Sequence, residues 1–137
     1  MGLVYAEITL KNYGDIVRVQ DGRITEDEIR SVTVEALVDT GCGSLVITEA
    51  VREKLGLSIE GLRRSTLADG SSAVCRMTEP VKIHWDNRSA TCDALVVPDA
   101  DMVLLGAIPL ESMDLIVDPL RQQLKGAHGD EVVAMLM

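Results

Sequence analysis

The sequence predicts an all-β fold, built as a closed or partly closed barrel of short strands with one or two short helices. Short apolar and β-branched runs recur along the chain, turn residues separate them, and few segments show helical periodicity. The chain has 137 residues, of which 47% are hydrophobic. That length suits a single domain, residues 1–137, with enough apolar side chains for a core.

The N-terminal quarter predicts a strand, a turn and a return strand. Residues 3–10 alternate in the manner of a strand. Residues 12–15 (Asn-Tyr-Gly-Asp) are typical of a turn, after which residues 16–19 would pair back. Residues 25–28 (Thr-Glu-Asp-Glu) have the spacing of a capping box. They form either a single helical turn or an acidic surface loop.

The middle of the chain contains the clearest strand and the clearest helix. Residues 31–38 are rich in β-branched side chains and predict a strand, and residues 45–47 predict another. A helix follows, because Thr48 is a suitable N-cap, Val51 and a leucine four residues later share one face, and a glycine ends the pattern.

The remaining segments complete an all-β pattern. Residues 62–68 and 72–78 flank Asp69-Gly70, which is typical of a hairpin turn. Pro109 suits the first turn of a second short helix. Six further segments predict strands: residues 81–85, 89–97, 102–106, 115–117, 122–125 and 131–136.

Composition excludes several classes of function. The net charge of −9 disfavours nucleic acid and anionic membranes as partners, because both are bound through Lys and Arg. No signal peptide or membrane-spanning run is evident, and the three cysteines form an odd set, so a reducing, cytoplasmic location is expected. His84 and His128 are isolated and no glycine-rich phosphate loop is present, so neither a metal nor a cofactor is expected.

The most informative segment is residues 36–47, in which an apolar strand enters Asp39-Thr40-Gly41 and a second apolar strand leaves it. Asp-Thr-Gly is also an ordinary turn sequence. A carboxylate at the end of a buried strand is nevertheless costly unless a partner group compensates it. A second carboxylate sharing one proton would be such a partner and would allow the pair to activate water.

Together with Leu104-Leu105-Gly106 and the short helix after it, this segment resembles the retroviral-type aspartic proteases, and most closely their single-domain bacterial and archaeal members. The resemblance covers roughly residues 31–125 and preserves the order of elements. It implies a closed acid-protease-type barrel that forms half of a two-fold dimeric protease.

The resemblance also implies roles for individual residues. Asp39 would be the catalytic aspartate, Thr40 would brace the same turn of the partner subunit, and Gly41 would let the substrate backbone approach. The Asp69-Gly70 hairpin would be the mobile flap that covers a bound peptide. Substrate contacts would come from Cys42, Gly43, Ala68, Asp69, Gly70, Ser71 and Leu105.

Only one Asp-Thr-Gly occurs in the sequence, so the enzyme that the resemblance implies is a homodimer with one Asp39 from each chain at the axis. Residues 3–10 and 131–136 could form a sheet between subunits or lie within their own barrel. The expected partner is a peptide or protein substrate. Two other hypotheses stay open: a non-catalytic peptide-binding or dimerisation module on the same fold, and a nucleophilic cysteine enzyme that uses Cys42.

Overall fold

The computed structural model describes residues 2–66 and 69–134. In these ranges the strands are β1 (Tyr5–Asn12), β2 (Ser31–Val38), β3 (Leu45–Ile47), β4 (Ile59–Thr66), β5 (Ser72–Thr78), β6 (Val81–Trp85), β7 (Arg88–Cys92), β8 (Ala94–Val96), β9 (Leu104–Leu105), β10 (Leu115–Asp118) and β11 (Gln123–Gly126). The helices are α1 (Tyr13–Gln20), α2 (Glu49–Leu55), α3 (Ala107–Ser112) and a 3-10 turn, Glu26–Glu28. The mostly β content confirms the predicted class. No helix in the described ranges is long and apolar enough to cross a membrane.

In the part of the chain that the structure describes, nine strands form one sheet in the order β4-β5-β8-β3-β9-β2-β1-β6-β7, and β10 pairs only with β11. Within the described residues, β4 and β7 each have a single neighbour, so the sheet has two free edges. Of the two predicted forms, the fully closed barrel, which the resemblance also implied, is therefore wrong for the described residues. Closure requires the two edge strands to be joined by hydrogen bonds, and β10 and β11 pair with each other instead of bridging those edges.

The predicted strands and helix around the Asp39 turn are confirmed. β2 and β3 have the predicted bounds. The Thr48 hydroxyl accepts a hydrogen bond from the Val51 backbone N–H at 3.1 Å and so caps α2. Gly56 ends the helix with a φ of 64°, a left-handed conformation that glycine adopts without steric cost.

The predicted turn at residues 12–15 and return strand at 16–19 are wrong, because these residues form α1. The Asn12 side chain accepts a hydrogen bond from the Asp15 backbone N–H at 3.1 Å and acts as an N-cap. The Asn12 amide donates to the carbonyl of Leu55, on α2, at 2.8 Å. An Asx turn and a helix N-cap use the same local hydrogen bond, so the sequence alone does not distinguish them. The hydrogen bond from the Asn12 amide to α2 stabilises the helix here.

The segment at residues 25–28 forms a single helical turn, one of the two alternatives. The Glu28 carboxylate accepts a hydrogen bond from the Thr25 backbone N–H at 3.0 Å, as in a capping box. The side chains of the 3-10 turn are exposed, so the segment also lies on the surface, as the loop alternative expected.

The predicted hairpin around Asp69-Gly70 is present as β4 and β5, with Thr66 paired to Ser72. The last two residues of the predicted strand 62–68 lie outside the described residues. The segment 89–97 divides at Asp93 into β7 and β8, which lie in different parts of the sheet.

The two ends of the chain take different paths. β1 lies between β2 and β6, so the N-terminal strand belongs to its own sheet. The predicted strand at 131–136 does not form in residues 131–134, which make only an isolated bridge between His128 and Glu131. These residues are mostly exposed and would gain little burial from pairing. Residues 135 and 136 lie outside the described ranges.

The core is aliphatic, as expected of a chain with no Phe, one Trp and two Tyr. Side chains from β1, β3, β6, β9, α2 and α3 fill the space between the curved sheet and its helices. The largest fully buried apolar side chains are Ile8, Leu10, Leu45, Ile47, Leu55, Leu57, Ile83, Leu105 and Met113.

Candidate active site

The Asp39 turn lies where three strands meet. β2 leads into the turn and β3 leads out of it, and β9 lies between these two strands. β9 pairs in parallel with β2, placing Leu105 opposite Val38, and antiparallel with β3, placing Leu105 opposite Leu45. The short strand thus holds both arms of the turn at once.

Backbone hydrogen bonds tie the turn to the segment that follows β9. The Asp39 N–H donates to the carbonyl of Leu105 at 3.0 Å, and the Ala107 N–H donates to the carbonyl of Cys42 at 2.7 Å. Within the turn, the Cys42 N–H donates to the carbonyl of Asp39 at 3.1 Å. The backbone of residues 39–42 is therefore fixed by a hydrogen bond within the turn and by hydrogen bonds to β9 and to the start of α3.

Gly106 is required at this junction by close contact rather than by its backbone angles. A Cβ at Gly106 would lie 2.5 Å from the carbonyl oxygen of Cys42 and closer still to that of Ser44. Real Cβ atoms do not approach a carbonyl oxygen so closely, so any side chain would push the turn away from β9.

Asp39 is half-buried as a residue, and one of its carboxylate oxygens accepts an exposed hydrogen bond from the Gly41 N–H at 3.0 Å. The ion pairs found among the described residues involve other carboxylates. A carboxylate held in place by a backbone N–H and without a cationic partner is suited to interact with a second carboxylate.

An open groove of about 700 Å³ begins at this turn. Four of the sequence-predicted site residues line it together: Asp39, Gly41, Cys42 and Gly43. Its other walls are Ser44, Val46, Ser65, Thr66, Leu95, Val97, Ala100, Asp101, Met102 and Leu104. The groove lining is therefore largely apolar and also contains two aspartates, Asp39 and Asp101, and three hydroxyl-bearing residues, a chemistry that suits an extended peptide.

Other predicted site residues lie elsewhere. Thr40 is exposed and lines a second, smaller groove instead of the first. Leu105 is fully buried, and its neighbour Leu104 lines the groove instead. Residues 69–71 form an exposed hairpin tip, in which the Asp69 carboxylate accepts hydrogen bonds from the Ser71 hydroxyl and from the Ser71 N–H, the latter at 2.9 Å. The hydroxyl bond first and the N–H bond second lower the pKa of Asp69. Ala68 lies outside the described residues.

Sequence reasoning did not single out the groove walls beyond the turn. Ser65 and Thr66 come from the end of β4, just before the hairpin tip, and Leu95 and Val97 come from β8 and its exit. The sequence did offer a signal for the walls at residues 100–102. These residues come shortly before β9, the strand that holds the turn, so they must pass close to the turn.

The Cys42 thiol is half-buried and donates to the carbonyl of Ser44 at 3.5 Å. Neither His84 nor His128 lines the groove that Cys42 lines. The His128 ring lies 2.7 Å from the Asp114 carboxylate, and burial lowers the pKa of His84. A cysteine nucleophile needs a paired base, and the described residues place neither imidazole beside Cys42. They also contain no cluster of three His, Cys, Asp or Glu side chains that could hold a metal ion.

Comparison with known proteins agrees with this geometry. A family model described as aspartyl protease matches residues 25–108, which is more than half of the chain and includes both the Asp39 turn and β9. The chain therefore belongs to the aspartyl protease family. No curated protein matches it significantly.

Solved structures with the same fold include a retropepsin-like aspartic protease from Rickettsia conorii, with 18% identity over 85% of this chain and 77% of that chain and a TM-score of 0.58. The retroviral protease-like domain of Ddi1 from Leishmania major has 14% identity over 91% and 88%, with a TM-score of 0.58. The EIAV protease complexed with the inhibitor HBY-793 has 19% identity over 80% and 86%, with a TM-score of 0.54. The fold is therefore retropepsin-like, and the resemblance seen in the sequence is confirmed.

Proposed function

We propose that the chain, as a single domain spanning residues 1–137, is a homodimeric aspartic endopeptidase in which Asp39 and the Asp39 of a second copy activate water. The observation that carries the proposal is the Asp39 turn itself. Asp39 lines a peptide-sized groove, is held in place by Gly41 and by β9, and has no cationic partner among the described residues. The three free cysteines suit a reducing compartment, and we propose a cytoplasmic location.

The proposed chemistry follows from two like charges held close together. Such a pair retains one proton over a useful pH range, because both groups cannot easily ionise at once. The ionised carboxylate takes a proton from water, whose oxygen bonds to the scissile carbonyl carbon while the protonated carboxylate donates to the carbonyl oxygen. Collapse of the tetrahedral intermediate breaks the C–N bond, and a carboxyl group of the pair gives its proton to the leaving amine.

We propose that the groove binds the substrate as an extended peptide. Gly41, Cys42 and Gly43 would lie along its backbone, because glycines allow close approach. Leu95, Val97, Met102 and Leu104 would contact apolar substrate side chains. The hairpin tip at residues 69–71 would cover the peptide, and Thr40 would contact the second copy.

A second candidate is a peptide-binding module on the same fold that does not cleave. The orientation of Cys42 favours it, because the thiol donates to the carbonyl of Ser44 and leaves the carboxylate without that side chain's support. This candidate expects peptide binding that survives Asp39→Asn and no hydrolysis by either protein.

The decisive experiment digests a peptide library from acidic to neutral pH and identifies the products by mass spectrometry. Wild type should cleave, and Asp39→Asn should lose at least about 1,000-fold in rate, because the pair then has no ionisable base. The matched control is Asp93→Asn, an exposed aspartate between β7 and β8, which should cleave as wild type does.

Three outcomes would separate the hypotheses. Cleavage by both wild type and Asp39→Asn would contradict the proposed role of Asp39. Binding of peptides by both proteins without cleavage would favour the module. Cleavage abolished by Cys42→Ala but retained by Asp39→Asn would support a cysteine nucleophile.

A further inference from the structure

The larger groove contains a second aspartate that the proposed chemistry does not use. Asp101 lines this groove together with Asp39. No lysine, arginine or histidine lines it within the described residues, so the two charged side chains on its walls are both carboxylates. A charged side chain in a binding groove restricts which ligands can bind, because a group placed beside it must not repel it.

The backbone around Asp101 is held on both sides. Before it, the Ala100 N–H donates to the carbonyl of Val97 at 3.2 Å, which closes a turn just after β8. After it, Val103 is buried, and its carbonyl accepts a hydrogen bond from the Leu37 N–H, on β2, at 2.9 Å. Asp101 therefore lies on a short segment that is fixed at both ends, which gives it a defined place on the groove wall.

Asp101 has no cationic partner of its own in the described part of the chain. The residue is exposed, and none of the ion pairs found among residues 2–66 and 69–134 involves it. By contrast, Asp15, Glu49 and Asp118 are each paired with an arginine or a lysine. Water solvates an exposed carboxylate in the free protein, but a peptide bound in the groove would displace part of that water. A positive group on the peptide would compensate the loss.

A basic side chain of a substrate suits this part of the groove in two respects. Its charged end would pair with Asp101, and its aliphatic stem would lie along apolar walls such as Val97 and Met102. Arginine suits it best, because its guanidinium is always charged and can donate two parallel hydrogen bonds to one carboxylate. The net charge of −9 acts in the same direction, since it attracts cationic peptides to the molecule.

We infer that Asp101 determines substrate specificity and selects peptides that place a basic side chain beside it in the groove. The inference rests on the proposed endopeptidase and deepens it, because it names the class of peptide that the same groove takes. In the proposed homodimer each copy contributes one Asp101, so basic side chains should be enriched on both sides of the cleaved bond. Acidic side chains at the same positions should be depleted, because like charges repel.

The test compares peptides that differ in one side chain, which is either arginine or citrulline, its uncharged isostere. The pair is placed in turn at each position of a peptide that the wild type cleaves. At the position beside Asp101, kcat/KM should be about 10-fold higher for arginine than for citrulline. Asp101→Asn should bring this ratio to about 1, and Asp101→Lys should make the enzyme prefer glutamate over glutamine at that position.

The matched control is Asp99→Asn, which removes the same charge two residues away. Asp99 is exposed and is not among the described residues that line the groove. Its backbone has a φ of 61°, a left-handed conformation that asparagine also adopts. This variant should keep the wild-type ratio of arginine to citrulline cleavage. An equal fall of the ratio in Asp99→Asn and Asp101→Asn would assign the preference to net charge and overturn the inference.

Peptides in which a hydroxyethylene group replaces the scissile amide separate this inference from the proposed function, because they bind without being cut. Tighter binding of arginine than of citrulline versions, lost in Asp101→Asn, would support the inference even if no peptide were cleaved, a result that would overturn the protease. Cleavage without a preference for arginine, or with a preference that both Asp101 variants retain, would overturn the inference and leave the protease standing. Neither binding nor cleavage of any peptide would overturn both.

Discussion

Gly106 shows how a single residue sets the position of the candidate active site. Its backbone angles are ordinary for any residue, with φ at −91°. Its importance comes from the carbonyl oxygens of Cys42 and Ser44, which occupy the space that a Cβ would need. The glycine thus allows the turn that bears Asp39 to rest directly on the end of β9.

Gly106→Ala should lower the free energy of unfolding by about 1–3 kcal/mol, because backbone atoms and not a flexible side chain must move. Urea unfolding followed by circular dichroism measures this change. The matched control is Gly43→Ala, whose Cβ would find its nearest neighbour, Ile108 Cδ1, at 4.0 Å. An equal loss in both variants would contradict the steric explanation.

At the level of elements, α1 is the part of the fold that sequence reasoning missed. Residues 12–15 look like a turn because asparagine, glycine and aspartate favour turns. The helix is fixed from outside: Asp15 is buried and accepts hydrogen bonds from Arg30 at 2.9 Å and from Arg18 at 2.7 Å. These bonds join α1 to the start of β2.

The hydrogen bonds to Asp15 should make the free energy of unfolding depend on pH in the acidic range. Hydrogen bonds from Arg30 are the main cause that lowers the pKa of Asp15 from 3.8 to about 2. A lowered folded-state pKa stabilises the protein above pH 4, and this stabilisation, about 2 kcal/mol, is lost as the pH falls toward 2. Asp15→Asn should therefore be less stable than wild type by about that amount at pH 7.

Unfolding of wild type and Asp15→Asn should be compared from pH 7 to pH 2, since the difference between them isolates Asp15 from other carboxylates that titrate. The difference should shrink below pH 4. A difference that stays constant down to pH 2 would mean that packing, and not the charge of Asp15, stabilises α1.

Arg88 connects β7 to the end of α3 in a similar way. Its buried guanidinium donates to the carbonyls of Met113 at 3.1 Å, Asp114 at 3.0 Å and Gly129 at 2.8 Å. Met113 is the C-cap of α3, and carbonyls at the C-terminal end of a helix lack partners within the helix. Nothing in the local sequence predicts this role.

Arg88→Met should cost about 3 kcal/mol of unfolding free energy, because several carbonyls lose a charged donor while buried. Thermal or urea unfolding would report the loss. Arg64→Met is the matched control, since Arg64 is exposed on β4 and should change stability by no more than about 0.5 kcal/mol. Similar effects of both substitutions would contradict this account.

For the whole molecule, net charge and the proposed homodimer oppose each other. Two copies at −9 repel through solvent, whereas apolar contact would hold the proposed dimer together. Salt screens the repulsion, since the Debye length falls from about 30 Å at 0.01 M to about 3 Å at 1 M. Apolar contact is not weakened by this screening.

The proposed dimer should therefore become tighter as the salt concentration increases. Between about 0.02 M and about 0.5 M sodium chloride, the dissociation constant should fall several-fold, because screening shortens the range of the repulsion. Sedimentation across both salt and protein concentration measures it. A dissociation constant that rises with salt would mean that opposite charges hold the copies together.

The sequence by itself determined the β-rich class, the strands on both sides of Asp39, the helix α2 and the hairpin at Asp69-Gly70, and it led to the aspartyl protease family. Strand periodicity, capping residues and turn dipeptides are local, so they can be read without knowing the fold. Only the tertiary structure decided that the sheet stays open within the described residues, that residues 13–20 form a helix, that Leu104 rather than Leu105 lines the groove, and that Leu120 is exposed in the turn between β10 and β11. Each of these depends on what packs against the segment, through contacts between residues far apart in the chain.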